Sequence, residues 1–241
     1  MADKIQKNEF IELEFTARIR DGEIFDTNIK EDAEKLKIKN VKPLILSVGR
    51  SMIIQGVDES LEGKEIGKKY EETFPPEKAF GKRNPQLVKM IPLRAFKEQK
   101  IVPQTGMQLN LDGQLVRIAS ASGGRILVDF NNPLAGKTMI YKFTPKRKVT
   151  DINEKINALQ DLFFRKRFEF ETKDKTIIFK VQENIKPFIE LMSKPFKEII
   201  GLEIKIEPLS ENKNKKTSPN DKISPDKMHL KKKPKKDDSK K

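Results

Sequence analysis

The hydrophobic period of this chain changes near Thr150, and that change excludes one continuous architecture. Before it, apolar and polar residues alternate in short runs. Residues 9–19 put Ile11, Leu13, Phe15, Ala17 and Ile19 on one side with charged or polar groups between them, the period-two pattern of a half-buried strand. Asp21-Gly22 then supplies a tight turn. Strand-like runs follow at 44–48, 68–74, 87–91, 107–111, 114–119, 125–130 and 139–143, punctuated by Asp112-Gly113, Ser122-Gly123-Gly124 and several prolines. Helical spacing is confined to 55–62, carried by Val57 and Leu61, and to 93–98. After Thr150, Ile152, Ile156, Leu159, Leu162 and Phe163 recur at helical spacing behind an Asp151/Glu154 cap pair. Strands at 167–172 and 176–181 surround Lys173-Asp174-Lys175. Pro187 opens a helix bearing Phe188, Leu191 and Met192, and Ser193 starts a further turn that Gly201 stops before a strand at 202–206. The expected class is α+β: a mostly antiparallel front half, then a separate α-β-β-α-β unit.

Composition removes several chemistries. There is no Cys and a single His, His229, so disulfides, thiolate nucleophiles, Cys/His zinc sites and Ser-His-Asp catalysis lack their raw material. No metal site and no cofactor is expected. The first residues interleave charges, and no run approaches twenty apolar residues, so a cytoplasmic protein without membrane contact is expected. Half of the net charge of +14 falls from Pro208 onward, where Ile223, Met228 and Leu230 stand isolated among Lys, Ser, Asn and Asp. Such a segment cannot bury enough surface to offset its chain entropy, and 208–241 is expected to be a disordered basic tail. Its charge favours weak contact with ribosomal or other RNA, although it carries no aromatic side chain to stack on bases.

Two segments carry more specific meaning. One is Asp21-Gly22-Glu23-Ile24-Phe25-Asp26, continued by residues 43–63, Ile66-Gly67 and Ala79-Phe80-Gly81. The other is Val128-Asp129-Phe130-Asn131-Asn132-Pro133-Leu134-Ala135-Gly136-Lys137, running into 139–143. In order and spacing they resemble the FKBP-type prolyl isomerases over roughly residues 8–145, and within them the SlyD-like subgroup with an insert-in-flap domain. The C-terminal unit looks like the extra domain of long archaeal members. The resemblance implies an FKBP-like antiparallel sheet wrapped on a short helix, formed by 1–81 and 133–149. It implies a small β-rich chaperone domain at 82–132, with an α+β domain at 150–207 behind it.

The implied activity is rotation about X-Pro bonds in unfolded or nascent polypeptides. Amide resonance sets a barrier of roughly 20 kcal/mol, and a surround that favours the twisted amide lowers it without any titratable side chain. An apolar pocket and one backbone N–H suffice, with binding energy used for distortion. By motif position the family's pocket falls on Phe15, Phe25, Asp26, Leu44, Ile53, Ile54, Val57, Phe80 and Tyr141, with the Ile54 N–H anchoring a substrate carbonyl and Asp26 acting electrostatically.

Three positions depart from the family pattern. Val57 stands where small members often have Trp, Phe80 where Tyr is usual, and Asn132 where His is common. The Tyr hydroxyl that is missing at Phe80 is expected to cost about 0.5–1.5 kcal/mol, roughly two- to thirteen-fold in rate, which weakens the activity without abolishing it. The nickel-binding tails of SlyD-like proteins are rich in His and Cys, which this tail is not, so that property does not carry over.

About fifty residues between Gly81 and Pro133 are too many for a structureless loop and are expected to fold as a module. Met90, Ile91, Leu93, Phe96, Ile101, Val102, Met107 and Leu109 are its candidates for an exposed surface that holds unfolded chain. Phe163, Phe164, Phe188 and Phe196 exceed the evident needs of so small a C-terminal core, which suggests a homodimer through that unit. Two rival readings stand beside the isomerase: a holdase that has lost catalysis, and a basic RNA-binding scaffold.

Overall fold

The computed structural model describes residues 3–39 and 41–208. The basic tail expected from 208 onward, with His229 and the proposed RNA contact, lies outside the described residues apart from Pro208.

Strand β1 (Phe10–Ile19) organises the front half. Antiparallel β9 (Met139–Lys148) runs along one side of it, and β4 (Tyr70–Phe74) lies beyond β9. Its other edge is shared by β3 (Leu44–Ser47), paired from Phe10 to Leu13, and β2 (Ile24–Thr27), paired from Thr16 to Arg18. The alternation read from the sequence is the packing: Ile11, Leu13, Phe15 and Ala17 face helix α2 (Gln55–Leu61), whose Val57 and Leu61 share their core with Leu46, Phe74, Tyr141 and Phe143. This is a sheet wrapped on a short helix.

One element was not legible. Helix α1 (Lys30–Lys35) has the sequence Lys-Glu-Asp-Ala-Glu-Lys and buries Ala33 alone, so it shows no apolar period. It is held by polar contacts: Thr16 Oγ1 donates to Asp32 Oδ2 at 2.7 Å, and Lys35 pairs with Asp32 at 2.8 Å.

Between Gly81 and Pro133 the chain builds a second sheet, in the order β5 (Val88–Pro92), β8 (Arg125–Asp129), β7 (Gln114–Ser122), β6 (Gln108–Leu111), with helix α3 (Leu93–Glu98) after β5. Its core is Phe96, Val116, Ile118, Ile126 and Val128.

The C-terminal part follows the expected order, with two successive helices where one interrupted helix was read. They are α4 (Ile152–Phe163), β10 (Glu169–Lys173), β11 (Thr176–Val181), α5 (Lys186–Leu191), α6 (Ser193–Ile200) and β12 (Glu203–Pro208). Asp151 caps α4 as its position suggested, its Oδ1 accepting from Glu154 N at 2.8 Å. Gly201 ends α6 in the left-handed conformation at φ 74°. β12 pairs parallel to β11, the crossover being made by α5 and α6.

This unit is not set apart from the front half. Phe10, on the outer face of β1, and Val149, just after β9, are buried in the same core as Ile156, Leu159, Phe179 and Phe196, with Ile45 and Met52 packed against it. The phenylalanines that suggested a surplus are mostly used here: Phe164 stacks on Phe196 at 5.9 Å, Phe163 leans on Phe196 at 5.9 Å, and Phe179 meets Phe196 edge-on at 6.0 Å. Of the four, only Phe188 is exposed. No helix among the described residues is long and apolar enough to cross a membrane.

Candidate active site

The sheet, α2 and the segment leading into it enclose an open cavity of about 650 Å³, within the range of ligand sites. Phe15, Asp26, Leu44, Ile53, Ile54, Phe80 and Tyr141 all line it. Of the other two residues read from the motif, Phe25 supports the wall, edge-on to Phe80 at 5.8 Å and to Tyr141 at 6.3 Å. Val57 has no exposed surface and lies in the core beneath. The structure therefore corrects Val57 from a lining residue to a support: a side chain smaller than Trp does not reach the cavity from its position in α2.

Local structure explains how these groups are held. Asp58 is buried in α2 and accepts from Gly49 N at 2.8 Å and Ser51 N at 2.7 Å, which clamps the turn that delivers Met52, Ile53 and Ile54. Ser51 sits at φ 55° and Gly49 at φ 79°, conformations that this clamp enforces. Ile54 is the N-cap of α2, and among the described residues its N–H donates to no protein acceptor. That leaves a donor at the cavity wall, as expected for the first amides of a helix.

On the opposite wall, Thr27 Oγ1 donates to Phe15 O at 2.9 Å. Asn28 bridges Phe15 N and Leu13 O, each at 2.7 Å, and so fixes the strand end that carries Asp26.

Electrostatics follow from partial enclosure. Asp26 as a residue is exposed, yet its carboxylate end is partly ringed by protein. Burial pushes its pKa above the usual carboxylate value, against a pull downward from the Thr27 backbone. Tyr141 is buried, and burial first, then the nearby Asp26 charge, pushes its phenol well above its ordinary range. The phenol is a neutral hydrogen-bond donor at every physiological pH. Among the described residues no cluster of three or more His, Cys, Asp or Glu is arranged to hold a metal ion.

Asn28, Ile38, Val41, Lys42, Pro43, Met52, Asp161 and Arg165 also line the cavity and were not singled out in the sequence. Met52 and Pro43 adjoin the motif. Asp161 and Arg165 come from the C-terminal unit, where nothing in the linear pattern points to the pocket.

The insert departs more from expectation. Phe96 is only 3% exposed and is core, which corrects its assignment to the surface. Ile91, Leu93, Ile101 and Leu109 pack against the same core and are half-buried. A four-stranded sheet this small needs them inside. Met90, Val102 and Met107 are exposed, joined by Leu87 and Leu115, which the sequence reading left out.

The insert is tied at its neck. Asn84 N donates to Asn131 Oδ1 at 2.8 Å, Asn131 Nδ2 returns a bond to Asn84 O at 2.9 Å, and Gly136 N donates to Gly81 O at 2.8 Å. Asn132, the departure from His, accepts from Leu134 N at 2.8 Å and shapes the return turn. Buried Asn131, which the sequence reading did not single out, is the central tie.

Comparison with known proteins agrees with this geometry. Residues 2–100 match the model of the FKBP-type peptidyl-prolyl cis-trans isomerase family, and residues 89–134 match that of the FKBP26 IF domain. The short-type peptidyl-prolyl cis-trans isomerase of Methanocaldococcus jannaschii is 33% identical over 150 residues, covering 61% of this chain and 94% of that protein. The FKBP-type isomerase SlyD of Vibrio cholerae is 30% identical, covering 57% of this chain and 65% of its own, just under two thirds. The FKBP-type 16 kDa isomerase of Escherichia coli K12 is 29% identical, covering 58% and 90%. With a sheet wrapped on a short helix, an aromatic cavity at its open side and a relative matched almost end to end, the chain belongs to the FKBP-type peptidyl-prolyl cis-trans isomerases.

Proposed function

We propose that the chain turns X-Pro bonds of unfolded or nascent polypeptides in the cavity around Tyr141, while the insert holds the same client. The observation that carries this reading is the cavity itself: Phe15, Phe80 and Tyr141 offer an apolar surround beside one free backbone donor at Ile54. An amide twisted out of conjugation is less polar than the planar amide and is favoured there. The Ile54 N–H orients the carbonyl, and Asp26 with the Tyr141 hydroxyl supplies fixed polarity without proton transfer. In the insert, Met90 and Val102, 57% and 76% exposed, are the apolar groups available to a client. Tethering the two sites raises the local concentration of client prolines to roughly millimolar.

A protease-free assay on a short X-Pro peptide tests the pocket. Wild type is expected to turn over, Asp26→Ala to lose roughly tenfold in kcat/KM, and Phe80→Tyr to gain roughly two- to thirteen-fold. An inactive wild type that Phe80→Tyr does not rescue leaves the holdase reading in its place.

The pH profile gives an internal check. Because burial raises the Asp26 pKa, kcat/KM falls on acidification at a pH above the ordinary 3.8, and Asp26→Ala removes that inflection. A raised carboxyl pKa means that the folded state takes up this proton first. The group therefore favours folding as pH falls, and the loss of rate is not acid unfolding driven by Asp26.

We also propose self-association through α5, supported by Phe188 and Leu191, which are 46% and 69% exposed. A monomer at all concentrations in sedimentation velocity removes this proposal.

A further inference from the structure

The catalytic cavity does not end at the sheet. A second cavity of about 570 Å³ shares Asp26, Pro43, Leu44, Met52, Asp161 and Arg165 with it and continues over Ala158, Leu162 and Arg167 of the C-terminal unit. Each is large enough for a ligand, and the proline ring of a substrate fills only part of the first. The chain on either side of that proline must lie somewhere, and this continuation is open to it.

The charges along the continuation are uneven. Asp161 is neutralised: Arg167 Nε lies 3.0 and 3.2 Å from its two carboxylate oxygens and Nη2 lies 2.6 Å from one of them. Asp26 sits at the catalytic end. The remaining charged groups are Arg165, after α4, which lines both cavities, and Lys42, before β3, which lines the first. Both are exposed, and neither makes an ion pair among the described residues.

Arg165 is also held in place by its neighbours. Phe164 before it is buried against Phe179 and Phe196, and its N–H closes α4 on Gln160 O at 2.8 Å. Fully buried Gln160 accepts from Phe168 N at 2.7 Å, which fixes the turn in which Arg165 takes φ 52°.

We infer that the C-terminal unit forms the far wall of the substrate groove, and that Arg165 with Lys42 selects an acidic side chain a few residues from the isomerised proline. This deepens the function proposed above and rests on its placement of the proline. The chain's own C-terminal segment is a poor occupant, because it is strongly basic.

The test uses two series of peptides, identical except for Glu or Lys placed two to four residues before or after the proline. Turnover, and affinity by fluorescence anisotropy, are measured on the full-length protein and on Arg165→Glu and Arg165→Lys. Wild type is expected to favour the Glu peptide on at least one side by roughly two- to fivefold, the scale of an exposed ion pair. Arg165→Lys keeps that preference, Arg165→Glu inverts it, and roughly 0.5 M salt flattens it. A Glu-to-Lys ratio equal in wild type and Arg165→Glu overturns the inference. A ratio in affinity that inverts while no peptide is turned over keeps the groove and removes the catalytic reading, so the two fail separately.

Discussion

Replacing Gly56 by alanine lowers the stability of the isomerase sheet by about 3 kcal/mol or more and weakens the pocket with it. A methyl group at Gly56 would overlap the edge of the Phe74 ring, with the ring's Cγ 2.8 Å away, and would press on the Lys78 carbonyl oxygen at 3.0 Å. The carbonyl is backbone and cannot swing aside. Phe74 can move only by disturbing Tyr141, whose ring it meets edge-on at 6.1 Å. Thermal unfolding is expected roughly 6–12 °C lower, and peptide turnover falls at temperatures where the protein remains folded. Adding Phe74→Leu makes room and recovers part of the loss, because the two sites are in contact. A Gly56→Ala protein within about 0.5 kcal/mol of wild type would show that α2 stands farther from β4 than described.

Excising the insert separates the two proposed activities. Asn84 and Asn131 already bond to each other across the neck, and Gly81 to Gly136, so residues 85–130 can be replaced by a two-residue turn without opening the isomerase sheet. Turnover of a short peptide is expected to stay within about twofold. Catalysis of a proline-limited refolding reaction is expected to fall roughly a hundredfold, the scale of a lost tether. If both rates fell together, the insert would be a structural part of the pocket and the hold-and-twist mechanism would be wrong.

The sequence was informative wherever one residue's environment is set by its near neighbours. The alternation of β1 named its buried face, and the Asp151/Glu154 pair marked the start of α4. It was silent where tertiary contact decides. Helix α1 has no apolar stripe, since only Ala33 turns inward. Phe96 and Met90 are both apolar residues of the insert, yet one is core and the other surface, a distinction made by the facing sheet. Of the nine pocket positions read from the family motif, seven line the cavity; Phe25 backs its wall, and Val57 is fully buried beneath it, because reach from that position in α2 depends on side-chain length. Arg165 could not have been found: it joins the groove through Phe10 and Val149, which fasten the C-terminal unit beside β3.

The pairing of β1 with β9 bears on how the protein is made. Ile11 meets Lys148 and Leu13 meets Pro145, so the sheet that forms the catalytic cavity cannot close until nearly the whole front half has left the ribosome. The insert's strands pair within their own segment, β6 with β7 and β7 with β8, and need no residue outside it. During synthesis the insert can therefore fold while β1 still waits for β9. Phe10 makes the dependence extend further, since the last core to form includes a side chain from the first strand. When the last strand of the insert has been made, β1 already has β2 and β3 on one edge, while the edge that β9 will cover is still open, an unpaired strand edge of the kind a client presents.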